Sequence, residues 1–79
     1  MTGAEWSYAA TPHDIGAFLR RTRDARGLSQ QELADDLGIN RRYVYELEAG
    51  RPNIYADRLF QTFRHLGIRV RLEQRPDED

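Results

Sequence analysis

Every one of the twelve basic side chains in this 79-residue chain is an arginine. Four crowd residues 20–26 (Arg20, Arg21, Arg23, Arg26), and Arg41 and Arg42 stand side by side. A guanidinium presents a rigid planar fork of donors, suited to flat acceptors such as a carboxylate, a phosphate or the O6/N7 edge of guanine. Other chemistry is poorly supplied. His13 and His65 are lone histidines, each without a second histidine nearby in sequence, and there is no cysteine. Neither a nucleophile–base constellation nor a glycine-rich phosphate loop is visible, and so short a chain hardly encloses a substrate pocket. We expect binding rather than catalysis, with no metal and no cofactor.

The net charge of −1 does not by itself favour a polyanionic partner. Its distribution matters more, because Asp77, Glu78 and Asp79 close the chain and residues 1–73 hold 11 arginines against 10 acids, a balance of +1. A local electrostatic footprint is therefore available. The absence of cysteine fits a reducing cytoplasm. Apolar runs are too short to cross a bilayer, and residues 1–10 lack the basic flank of a signal peptide. A cytoplasmic, nucleoid-associated protein without membrane contact is expected.

The elements that must position these arginines can be read from their punctuation. Thr11-Pro12-His13-Asp14 is a helix start, with Thr11 as N-cap and Pro12 in the first turn. Ile15, Phe18, Leu19 and Thr22 share one face of that helix, which stops near Gly27. Ser29-Gln30-Gln31-Glu32 is a capping box opening a short helix with Leu33, Ala34 and Leu37 inward, ending at Gly38. Asn40 caps a third helix over roughly 41–49, with Val44 and Leu47 inward and Gly50 as its stop. Arg51-Pro52-Asn53 is a loop, and Ala56, Leu59, Phe60, Phe63 and Leu66 form a helical stripe, for core and dimer contact, ending at Gly67. Residues 67–73, GIRVRLE, then alternate as a strand does, with Ile68, Val70 and Leu72 on one face. Four segments follow from this: an N-terminal extension (1–10), a helical domain (11–67), a strand (68–73) and an acidic tail (74–79) expected to be disordered.

Residues 29–50 place two short helices around the three-residue turn Gly38-Ile39-Asn40, with Ala34 small where the helices approach. This is the helix-turn-helix arrangement, whose second helix enters the DNA major groove. The run from Leu28 to Gly50, LSQQELADDLGINRRYVYELEAG, resembles the lambda-repressor-like (XRE/Cro-type) DNA-binding family. Such a resemblance implies a mainly α fold of four helices over residues 12–67. A terminal strand in place of a fifth helix is similar to the HipB-type antitoxins, and implies that this strand pairs with its copy across a homodimer. Physics points the same way, since a lone strand leaves its backbone groups unpaired and a two-fold axis supplies a partner. A hairpin with the Trp6–Tyr8 segment of the same chain is the other reading. Ile68, Val70 and Leu72 would then be the dimerisation residues.

Opposite Val44 and Leu47, the third helix should present Arg42, Tyr45 and Glu46, with Arg41 at its start. Arg42 is the first choice for reading guanine and Arg41 the second. The other reading of Arg42 is a pair with Glu46 one turn on, and both can hold in turn, free and bound. Tyr45 suits a thymine methyl, a phosphate or plain solvent, and Glu46 would serve only at a cytosine amine. The family resemblance implies that Gln30 holds a phosphate and that Arg23 and Glu48 form a structural ion pair. Tyr43, Arg51 and Asn53 are placed to grip the backbone, setting register without reading sequence. Arg20, Arg21 and Arg26 read as a solvated face.

Two functions remain open on these residues. One is a dimeric repressor on an inverted repeat of double-stranded DNA, acting at its own promoter. The other, implied by the HipB-type resemblance, is an antitoxin or adaptor holding a partner such as a HipA-like kinase toxin. Trp6, Tyr8 and the acidic tail have no other assignment and are candidates for that contact.

Overall fold

The computed structural model describes residues 5–51, 56–74 and 76. Its helices are α1 (Pro12–Ala25), α2 (Gln30–Leu37), α3 (Arg41–Ala49) and α4 (Ala56–Leu66). The boundaries follow the local chemistry read from the sequence. Asp14 N–H donates to Thr11 Oγ1 at 3.1 Å. Glu32 N–H donates to Ser29 Oγ at 3.0 Å while Ser29 N–H donates to Glu32 Oε1 at 2.8 Å, closing the capping box. Arg42 N–H donates to Asn40 Oδ1 at 2.8 Å and opens α3. Gly38 takes φ 68°, a left-handed turn that a side chain resists, and lets Ile39 N–H reach the Ala34 carbonyl at 3.0 Å.

Asp14 also accepts the Ala10 N–H at 2.9 Å, and this bond holds its carboxyl below the ordinary carboxylate range. The support it gives the start of α1 is present at neutral pH. It fades as pH falls through the lowered value.

The core is Leu19, Leu33, Ala34, Val44, Leu47, Phe63 and Leu66, ringed by half-buried Ile15, Leu28, Leu37, Ile39, Leu59 and Ile68. α3 lies across both α1 and α2, and α4 packs against the same two helices. The α1–α3 crossing is close because Gly16 has no side chain. A Cβ built there would lie 2.6 Å from the Leu47 carbonyl oxygen and closer still to that of Glu48.

Three expectations need correction. Among the described residues no strand is present, and residues 68–73 run without ladder partners. Among the described residues of the chain, nothing lies opposite them. Trp6 and Tyr8 instead meet edge to face at 5.2 Å, both exposed, so the intrachain hairpin is absent. Ile68 is spent on its own core, while Val70 and Leu72 are exposed. The α4 stripe is also narrower than expected. Phe63 and Leu66 are buried, but Ala56 and Phe60 face solvent and Thr62 is buried in their place. Thr62 Oγ1 donates to the Arg58 carbonyl at 2.8 Å, so the hydroxyl is satisfied within its own helix.

Gly16→Ala tests the helix crossing. Alanine gains about 1 kcal/mol in helix propensity, but the methyl must push two backbones apart, at roughly 1–3 kcal/mol or more for overpacking. We expect a net loss of stability in urea unfolding; a gain would show that the crossing opens freely.

Candidate nucleic-acid interface

Burying Val44 and Leu47 against α1 and α2 decides which way the rest of α3 faces. Arg41, Arg42, Tyr43 and Tyr45 are exposed and Glu46 is half-buried, so the side opposite the core is arginine-rich and aromatic, as its spacing suggested. Asn40, Arg42, Tyr43 and Glu46 line a shallow open cleft there. Arg42 Nε donates to Glu46 Oε2 at 3.3 Å, so the two stand as an i,i+4 ion pair. The Arg51 guanidinium lies 6.0 Å from the Tyr45 ring centre, and that of Arg58 lies 4.6 Å from the Tyr43 ring centre. The sequence alone gives Arg58 no role. No local signal marks it, because α4 meets α3 only through the fold. Asn53 lies outside the described residues.

Behind this face sits a buried charge network. Arg23 of α1 donates through Nε to Glu48 Oε2 at 2.5 Å and through Nη2 to Oε1 at 3.1 Å. Its Nη1 donates to the Leu28 carbonyl at 2.6 Å. The side chains are 9% and 5% exposed, and among the described residues no buried side-chain nitrogen or oxygen lacks a partner. Hydrogen bonds from Arg23 to Glu48 raise the guanidinium above its ordinary value, so its charge is fixed at any working pH.

Gln30 belongs to the same network. Its Nε2 donates to Glu48 Oε1 at 3.0 Å and the residue is half-buried. The spacing from 30 to 48 gave no hint of this bond, which exists because the turn folds α2 back across α3. Arg20 pairs loosely with Asp24 at 3.9 Å, and Arg21 lies over the Phe18 ring at 5.4 Å, in keeping with a solvated face. Among the described residues no cluster of His, Asp and Glu suits a metal, and no helix is long and apolar enough to cross a membrane.

A family model described as a helix-turn-helix domain matches residues 14–68. The HTH-type transcriptional regulator y4mF of Sinorhizobium fredii is 38% identical over 60 residues, covering 76% of this chain and 79% of that one. This chain belongs to the helix-turn-helix domain family. Among solved structures, the HipB–O4 20mer complex and the HipA–HipB–O2–O3 complex each match with TM-score 0.78 and 20% identity, over 87% of this chain and 97% of theirs. At that identity the likeness is one of fold, and the helix-turn-helix chain is HipB-like in that sense. The restriction-modification controller protein C.AhdI from Aeromonas hydrophila matches with TM-score 0.65 and 34% identity, over 73% of this chain and 88% of that one.

Within this helix-turn-helix domain, Glu48→Ala should be among the costliest single changes. It leaves the buried Arg23 guanidinium with only the Leu28 carbonyl and the exposed Asp24 carboxylate at 3.2 Å, and releases Gln30, at about 3–5 kcal/mol for a broken buried pair. Urea unfolding checks it. A loss of about 1 kcal/mol or less, the scale of surface pairs, would mean that water already screens the site.

Proposed function

We propose that this protein is a sequence-specific DNA-binding transcriptional repressor, working by binding rather than catalysis, as a homodimer on an inverted repeat. The observation that carries the reading is the outer face of α3. Buried Val44 and Leu47 hold Arg41, Arg42 and Tyr45 outward at the start of the second helix of a helix-turn-helix, where base edges are met. Arg42 reads a guanine, with Arg41 as the second reader and Tyr45 beside them. Gln30, Tyr43, Arg51 and Asn53 grip phosphates; the Gln30 amide keeps a second N–H after serving Glu48. Family membership with the regulator y4mF supports the regulatory role.

The dimer is part of this proposal. Phe60, Val70 and Leu72 remain exposed and apolar, and residues 69–73 have no backbone partner among the described residues. Antiparallel pairing of residues 68–73 across a two-fold axis supplies backbone partners and covers that surface. Two copies of α3 then face successive major grooves about 34 Å apart. The fold likeness to chains in HipB operator complexes, one of them with HipA, favours a role as antitoxin of a HipBA-like pair. The protein would then act in the cytoplasm at the nucleoid, repress its own promoter and hold a HipA-like kinase. Holding that kinase, with DNA secondary, is the alternative, and a kinase co-purifying with a chain that enriches no DNA favours it.

Selection of fragmented genomic DNA by the purified protein, followed by sequencing, tests the central claim. An inverted repeat with half-sites about one helical turn apart is expected, with affinity falling steeply as salt rises. Arg42→Ala should cost roughly 1–3 kcal/mol and relax preference at one base pair, whereas Gln30→Ala should weaken all sequences alike. Removing residues 70–79, which leaves Ile68 on its core, should turn a dimer into a folded monomer in sedimentation. A truncated chain that stays dimeric sinks the paired strand.

A further inference from the structure

We propose that Glu46 is a positioning residue for Arg42, holding its guanidinium by the Nε edge so that the outer edge meets guanine. The inference rests on the DNA-reading role of α3. Arg42 spends its single Nε–H on Glu46 Oε2 at 3.3 Å, and the four N–H groups on Nη1 and Nη2 remain as the fork that fits O6 and N7. The anchor is the carboxylate: its side chain is 35% exposed, against 82% for that of Arg42, and both line the same cleft. An arginine so exposed carries much rotamer freedom, which must be lost before it can read a base.

Helix stability does not account for the pair. α3 has no acid in its first turn and no base in its last; Arg41 and Arg42 begin it, and Glu46 and Glu48 end it. That order opposes the macrodipole, and Arg before Glu is the weaker sense of an i,i+4 pair. Glu48 has Arg23 as its reason. For Glu46, a bare carboxylate facing phosphates would weaken binding, and Arg42 is the neighbour that compensates it.

The test uses the full-length chain, the selected operator and operators changed singly at each base pair. For the wild type, replacing one guanine pair per half-site should cost about 5- to 150-fold in Kd, the range of a two-toothed arginine–guanine contact. Arg42→Ala should abolish that penalty. Glu46→Ala should shrink it with Arg42 still present, Glu46→Gln should restore part of it, and the double variant should be no worse than Arg42→Ala. Melting temperatures of the variants should stay together. A full penalty in Glu46→Ala overturns the positioning role while the DNA reading stands, as does a penalty that moves to a different base pair. If Arg42→Ala leaves every penalty intact, or no DNA is selected, the DNA reading fails and the positioning role with it.

Discussion

The buried bond between Arg23 and Glu48 is the constraint on which the helix-turn-helix depends. One guanidinium joins the end of α1, the Leu28 carbonyl of the following turn and the last turn of α3, and Glu48 in turn takes the first side chain of α2. Three helices therefore share a single charged knot. Burying two charges is expensive, and a well-packed apolar pair often does as well. What the ion pair adds is direction: a planar fork meets a planar carboxylate in few ways, so the rotation of α3 about its own axis is fixed along with its position. Gly16 serves the same end by removing the atom that would hold α1 and α3 apart.

Once that rotation is fixed, α3 has two unlike faces. Val44 and Leu47 are held in the core, so the arginines at its start lie on the exposed side, Arg42 beside Glu46. A helix of nine residues is too short to be stable alone, and its charges run against its own dipole. Its order is therefore borrowed from α1, α2 and the cap at Asn40. That trade is usual where a surface is kept for a partner: side chains that would stabilise the element are displaced by side chains that serve the contact.

Size sets the other limit. Seventy-nine residues bury a small core, and that core already draws in Ile68 from beyond the last helix. Phe60, Val70 and Leu72 are left outside it. Apolar side chains beside a backbone segment without ladder partners form an edge that natural chains cover or pair. The proposed two-fold partner is the economical way to do so, because identical copies bring complementary antiparallel edges.

The sequence by itself determined the four helices and all their ends but the start of α4. Thr11, Ser29, Asn40 and the glycines act within one turn of where they stand, so capping chemistry is legible without a fold. It also determined the composition of the α3 face, since a period of 3.6 separates Val44 and Leu47 from Arg42 and Tyr45. The helix-turn-helix resemblance carried the Arg23–Glu48 pair, which spacing alone would not have shown. Tertiary structure decided the rest: the bond from Gln30 to Glu48, the seat of Arg58 over Tyr43, the contact at Gly16 and the exposure of Phe60. Each depends on residues 15 or more apart in the chain, or on which part of a broad apolar stripe finds a neighbour. The alternation in GIRVRLE was legible as a preference, but a strand is a relation between two segments. Among the described residues only one of them is present.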